Sequence, residues 1–213
     1  MKNNTKLPMP SNDELLKNKK YDAREYAMLM SESKYNKKER HRYVYKNQLN
    51  LEEKAKEMKI SAKTLQRNIK RLTDLEQNVL DIEKTENGII YKLNYKYDDK
   101  NYVTVHHDML KKLSASFNSA AIKLYCILKY VCNEKDFTQV TNSWLIEKLG
   151  LCVKNSKNSQ LIHNITEDLM LTGYIQYKIK HINDGINTKK LKYYKINSFE
   201  EWEKYRKEHL KIK

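Results

Sequence analysis

The sequence predicts a mostly helical α+β chain in which one small unit, a pair of helices followed by a β-hairpin, occurs twice. Three observations carry this. Only 4 glycines and 2 prolines interrupt 213 residues, and both prolines fall within the first ten, so helices meet few breakers. The cap-type residues Asn50, Ser61, Asn118 and Thr141 or Asn142 stand directly before apolar rows of three- and four-residue spacing. Each helix pair is followed by two β-prone runs around an Asn- and Gly-containing turn, Asn87-Gly88 and Asn183-Asp184-Gly185. Hydrophobic residues make up 39%, enough for compact cores and too many for a wholly disordered chain.

Residues 1–20 are polar and rich in lysine and read as a flexible basic arm. Residues 21–99 form the first predicted domain. Ala23, Tyr26, Ala27 and Met30 mark a helix from Asp22, a charged stretch follows from Lys34 to Arg42, and Tyr43-Val44-Tyr45 makes a short strand. Asn50 with Glu53 is spaced as a capping box for a helix to about Met58, with Leu51, Ala55 and Met58 on one face. After the tight connection Lys59-Ile60, Ser61 caps a second helix to about Thr73, with Leu65, Ile69 and Leu72 inward. The runs Val79–Glu83 and Ile89–Tyr97 then read as a hairpin.

Residues 100–197 repeat this grammar, with the domains joined near Asp98 to Tyr102. A strand at Tyr102–Val105 and a short helix from Asp108 to Leu113 lead into an apolar helix with Ala121, Leu124, Tyr125, Ile127, Leu128 and Val131, capped by Asn118. A strand at Phe137–Val140 follows, then a helix carrying Leu145, Ile146 and Leu149, the turn Gly150-Leu151 and a polar loop from Lys154 to Asn158. A second helix from Gln160 to Leu171 places Leu161, Ile165 and Leu169 inward, and Gly173 stops it. The runs Tyr174–Ile182 and Lys189–Ile196 make the second hairpin, and residues 198–213 form a terminal helix capped by Ser198 and Glu201, placed either on the core or at a dimer contact. Lys56 to Ile60 matches Glu147 to Leu151, and Leu65 and Ile69 match Leu161 and Ile165. A hairpin behind the second helix of a helix–turn–helix is a wing, so the expected fold is two tandem winged helix-turn-helix domains.

A formal net charge of +15 favours a polyanionic partner, nucleic acid before membrane. The longest apolar-leaning run, Ala120–Cys132, is too short to span a bilayer and contains Lys123 and Lys129. The first residues lack the apolar core of a secretory signal, so a cytoplasmic location is expected. Cys126, Cys132 and Cys152 have no CxxC spacing and read as reduced, mostly buried residues. No enzyme, metal or cofactor is expected. There is no phosphate-binding GxxxxGK[ST] loop, and the scattered histidines and cysteines lack zinc-ligand spacing. His106 and His107 are adjacent and would face opposite sides of a strand, unlike the metal-binding histidine pair of rolling-circle nickases. The 16 tyrosines are expected chiefly as half-buried strand residues, Tyr91, Tyr95, Tyr97, Tyr174, Tyr177, Tyr193 and Tyr194 among them.

Once the inward row of the first groove helix is removed, Lys63, Thr64, Gln66, Arg67, Lys70 and Arg71 remain outward. Gln66 and Arg67 are the base-reading candidates, because Gln can bond adenine and Arg guanine in two places. Lys70 and Arg71 are placed on phosphate. In the second unit Lys154, Lys157, Asn158, Ser159, Gln160, His163 and Asn164 are the candidates. The hairpins offer Lys84 and Asn87 in the first unit, and Lys178, Lys180, Lys189 and Lys190 in the second, for phosphate or an adjacent minor groove.

The segment Tyr102–Cys132, with its Leu124-Tyr125-Cys126-Ile127-Leu128 helix and the unit that follows, resembles tandem winged-helix replication initiators of plasmids and phages. That resemblance, spanning roughly 22–196, implies double-stranded origin DNA as the partner, often with autoregulation. The alternatives are a transcriptional regulator acting as a dimer on a palindrome, and a protein-interaction module of a DNA-processing assembly.

Overall fold

The computed structural model describes residues 6–11, 13–76, 78–94, 102–132, 134–183 and 188–210, without the side chains of 183, 188 and 189. The chain is α+β, with helix outweighing strand. Among the described residues no helix is long and apolar enough to cross a membrane. Two compact units divide at Ile122/Lys123.

The first unit runs β1 (Lys6–Pro10), α1 (Asp13–Lys17), α2 (Ala23–Glu32), β2 (Lys34–Asn36), β3 (His41–Tyr45), a 3-10 turn (Lys46–Gln48), α3 (Leu51–Glu57), α4 (Ala62–Thr73), β4 (Leu80–Thr85), β5 (Gly88–Leu93), β6 (Tyr102–His106) and α5 (His107–Ser116). Two expectations change here. The segment 1–20, read as a flexible arm, holds β1 and α1, with Leu7, Met9, Leu15 and Leu16 buried. The boundary expected at 99/100 moves to 122/123, because β6 pairs antiparallel with β1, from Lys6↔His106 to Pro10↔Tyr102. The residues expected to join the domains, 98–101, lie outside the described residues, as do Tyr95 and Tyr97. Arg24 ties α2 to this C-terminal part: Nε donates to Ser114 O at 2.8 Å and Nη2 to Ala115 O at 2.8 Å.

The second sheet of this unit has the order β2-β3-β5-β4, all antiparallel. β4 and β5 meet at Thr85↔Gly88. The positive φ falls on Gly88 (115°) and not on Asn87, so the glycine takes the backbone conformation that L side chains rarely adopt. Val44, Tyr91, Leu93 and Leu80 form the buried face, against which Leu65, Ile69 and Leu72 of α4 supply the helical side of the core. Asn50 Oδ1 accepts from Glu53 N–H at 3.1 Å and Ser61 Oγ from Thr64 N–H at 3.1 Å, which fixes where α3 and α4 begin.

The second unit opens in α6 (Ser119–Val131), whose first turn belongs to the first unit, and continues β7 (Thr138–Gln139), α7 (Asn142–Lys148), α8 (Ser156–Leu171), β8 (Ile175–Asn183), β9 (Thr188–Ile196) and α9 (Phe199–His209). Its sheet order is β7-β9-β8. Thr141, rather than Asn142, caps α7, its Oγ1 accepting from Trp144 N–H at 3.2 Å. α8 starts four residues earlier than expected, because Asn155 Oδ1 accepts from Lys157 N–H at 3.1 Å and caps it, so Lys157 and Asn158 are helical rather than loop residues. Its buried row is Ile162, Thr166 and Leu169 with Ile165, and the expected Leu161 is only half-buried. That row repeats the spacing of Leu65, Ile69 and Leu72 in α4, so the correspondence holds one residue later than the sequence match implied. Gly173 ends the helix at φ 79° with N–H donating to Met170 O at 2.9 Å, as expected. Cys126 and Cys132 are buried, while Cys152 is exposed in the loop after α7. Burial pushes the Cys126 thiol up to about 12 and the Cys132 thiol to about 11, so neither is an available thiolate.

In each unit a helix, a strand (β3 or β7), two helices and a hairpin follow in order, and that strand pairs with the last hairpin strand, giving β3-β5-β4 and β7-β9-β8; the first unit adds β2 outside β3.

Candidate nucleic-acid interface

α4 presents one polar face. Lys63, Gln66, Arg67, Lys70 and Arg71 are exposed and Thr64 is half-buried, around the buried row that holds the helix to its unit. The six residues singled out here are not equivalent. Thr64 Oγ1 accepts from Ser61 Oγ–H at 2.9 Å within the cap. Arg71 forms a two-point pair with Asp22: Nε donates to Oδ2 at 2.9 Å and Nη2 to Oδ1 at 2.8 Å, while Nη2 also donates to Asn68 Oδ1 at 3.0 Å. Arg71, placed on phosphate from the sequence, is an anchor between α4 and the start of α2 in this structure. Among the described residues nothing engages the side-chain donors of Lys63, Gln66, Arg67 and Lys70.

The anchor continues inward. Asn68 Nδ2 donates to Glu25 Oε1 at 2.7 Å. Burial raises the Glu25 carboxyl above its ordinary range, the Asn68 bond works against that, and the neighbouring Asp22 charge adds to it. Sequence reading missed Asp22, Glu25 and Asn68 as positioning residues. Two acids beginning one helix and an Asn–Arg pair three apart on another were visible, but nothing local in the sequence joined them.

In the second unit α8 begins with the exposed Ser156 and Lys157 and the half-buried Asn158 and Ser159. Asn158 Nδ2 donates to Cys152 O at 2.8 Å, so this amide braces the loop instead of facing outward. Gln160 and Asn164 are exposed one turn apart and bonded to each other, Gln160 Nε2 donating to Asn164 Oδ1 at 2.7 Å. His163 is half-buried beside them, and Lys154 is exposed in the preceding loop.

The two hairpins differ in charge. The first carries Asp81, Glu83 and Glu86 against Lys84 and Lys92, and Lys92 Nζ lies 3.1 Å from Glu83. Lys84 and Asn87 are exposed as expected, on an element that is acidic rather than basic. The second is basic: Lys178, Lys180, His181 and Lys190 are exposed, and the half-buried Lys192, not among the sequence candidates, lies on the same hairpin. Lys178 Nζ lies 4.1 Å from the Phe137 ring centre, Lys180 5.0 Å from Tyr193 and Lys192 5.5 Å from Tyr177, so rings brace the ammonium groups on both faces of the hairpin. Lys189 lies on β9 with its side chain outside the described set, as do the turn residues Asp184 and Gly185.

The adjacent histidines do not face opposite sides of a strand. His106 ends β6 and its Nδ1 accepts from Asp108 N–H at 3.2 Å, capping α5, while His107 Nε2 donates to Ser31 O at 2.8 Å. Among the described residues no three His, Cys, Asp or Glu side chains are grouped to hold a metal ion. No protein-family model matches the chain, and no curated protein matches it either.

Proposed function

We propose that this chain is a sequence-specific double-stranded DNA-binding protein made of two winged helix-turn-helix units, acting as an origin-binding replication initiator. The observation that carries the reading is the recurrence, in both units, of two capped helices followed by a hairpin whose last strand lies between the first hairpin strand and the strand that precedes the helix pair, β3-β5-β4 and β7-β9-β8. In this reading α4 and α8 enter major grooves and the hairpins are wings. Gln66 and Arg67 read base edges, Lys63 and Lys70 hold phosphate, and Lys178, Lys180 and Lys190 grip backbone beside the second unit. In α8 the bonded Gln160–Asn164 pair offers amide donors and acceptors with less charge.

The terminal helix favours an initiator over a dimeric regulator. α9 is spent on its own unit: Trp202 is 2% exposed and packs, tilted by 46°, with its ring centre 5.6 Å from that of the buried Tyr174. Tyr205 lies where a side chain at Gly173 would be. A helix so used leaves two units per chain, rather than two chains, as the source of a second half-site.

Selection of bound duplexes from a random library at about 150 mM salt tests this, with wild type beside Gln66→Ala/Arg67→Ala. A motif arranged as a direct repeat, lost by the double variant, is the expected result. A palindromic motif bound by two chains would move the reading to a regulator, and no enriched motif would remove sequence-specific recognition.

A further inference from the structure

The four-stranded sheet of the first unit ends in two turns, and strand register puts them at opposite ends. β3 starts at Asn36↔His41 beside the β2–β3 turn and finishes at Tyr45↔Ile90, toward the β4–β5 turn at Thr85↔Gly88. Strands of this length hold the two turns roughly 20 Å apart at about 3.4 Å per residue. The positive charge is at the end away from the β4–β5 turn. The β2–β3 turn presents Lys37, Lys38 and Arg40, all exposed, around a single acid, Glu39, whose Oε2 faces His41 Nδ1 at 3.3 Å.

Among the described residues of this unit some cations are neutralised by carboxylates and others, Lys63, Arg67 and Lys70 among them, are not. Lys17, Lys54, Arg71, Lys92 and Lys111 each lie within 4 Å of a carboxylate. Lys37, Lys38 and Arg40 have no such partner among the described residues. The turn that carries them is fixed. Asn36 Oδ1 accepts from Lys38 N–H at 3.0 Å and Glu39 N–H at 3.3 Å. Arg40 holds a left-handed φ of 53°, which a residue with a side chain adopts rarely. At its base Arg42 Nη1 donates to Ser33 O at 3.3 Å and Ser33 Oγ at 3.1 Å, with its guanidinium 5.8 Å from the Tyr35 ring centre. A held turn loses less freedom when its charges are engaged.

We propose that Lys37, Lys38 and Arg40 form a second DNA-contacting surface, a clamp on the phosphate backbone of a stretch other than the one met by the β4–β5 turn. Three cations within four residues, with no apolar residue among them, suit phosphates. A protein partner would call for an apolar or aromatic anchor at the centre of the patch. The contact is sequence-independent and does not rest on base reading by α4.

The test uses the full chain and a 40-base-pair duplex of random sequence, with affinity followed as salt rises. Each phosphate contact contributes about 0.9 to the slope of log affinity against log salt. Lys37→Ala/Lys38→Ala/Arg40→Ala is expected to flatten that slope by about 2 to 3, with thermal melting unchanged because the side chains hold nothing else. The single variants Lys37→Gln and Lys38→Gln are each expected to flatten it by about 1, a readout that stands if the triple variant folds poorly. In the Gln66→Ala/Arg67→Ala background the loss should be the same. An unchanged slope in the triple and single variants overturns the proposal, as does a loss seen only on motif-bearing DNA. Because random duplex carries no motif, failure of sequence reading by α4 leaves this measurement intact.

Discussion

Lys59 and Gly150 stand one residue past the C-caps of α3 and α7, and both adopt left-handed backbone, φ 54° and 69°. The hydrogen bonds around them correspond: Lys59 N–H donates to Lys56 O and Ile60 N–H to Ala55 O, as Gly150 N–H does to Glu147 O and Leu151 N–H to Ile146 O. The same turn is thus built once with glycine and once with lysine, and only lysine bears the steric cost of a Cβ there, on the order of 1–2 kcal/mol. Lys59→Gly is therefore expected to stabilise the protein by about 1 kcal/mol and Gly150→Lys to destabilise it by a similar amount, both read from urea midpoints at constant m-value. Gly173→Ala is expected to cost more than Gly150→Ala. Its Cβ would lie 2.5 Å from Tyr205 Cδ1, so α9 must shift in addition to the backbone strain at φ 79°. Loss of near-ultraviolet dichroism from Trp202 in that variant, with far-ultraviolet signal kept, would report the displaced helix.

At the level of elements, the orientation of α4 against α2 depends on Asp22, Glu25, Asn68 and Arg71. Burial raises the Glu25 carboxyl above its ordinary value of 4.5, so the folded state binds this proton more readily than the unfolded chain. The contribution of Glu25 to stability is then greatest at low pH, falls as pH rises from the unfolded value through the raised folded one, and is flat above it. Glu25→Gln keeps an oxygen to accept from Asn68 and removes the ionisation. It is expected to match wild type at low pH and to exceed it at neutral pH, which paired urea titrations across that range would check. This anchor also marks the limit of what the sequence made legible. α4 was readable end to end, because Ser61 caps it and Leu65, Ile69 and Leu72 recur at helical spacing. The start of α8 was not, because Asn155, Ser156, Asn158 and Ser159 are all cap-competent and only tertiary packing of Ile162 chooses among them. β1 was hidden for a different reason. Leu7 and Met9 alternate as a strand should, but their partner β6 lies some 95 residues away, and a 5-residue pattern between lysines and prolines does not announce such a pairing. In the same way Arg71 is outward by periodicity, and its pairing with Asp22, which reaches it from another helix, left no local trace in the sequence.

For the whole molecule, the net charge of +15 is unevenly placed. The β4–β5 hairpin is acidic, the β8–β9 hairpin is basic, α4 mixes charge with amides, and α8 relies more on amides. Affinity and selectivity should therefore separate by element if both units bind DNA. Lys178→Ala/Lys180→Ala/Lys190→Ala removes three exposed point charges, the first two braced on rings, so it should weaken binding to all duplexes alike and flatten the salt slope by about 2 to 3. Gln66→Ala/Arg67→Ala removes the groups able to bond bases in two places, so it should cost about 1–3 kcal/mol per lost base contact on motif DNA and little on random DNA. Measuring both variants on both duplexes between 50 and 250 mM salt gives four slopes and four affinities. If the hairpin variant loses selectivity while the helix variant loses only slope, the roles assigned to α4 and to the β8–β9 hairpin are reversed. If neither variant changes either quantity, the basic surface of this chain serves a partner other than duplex DNA.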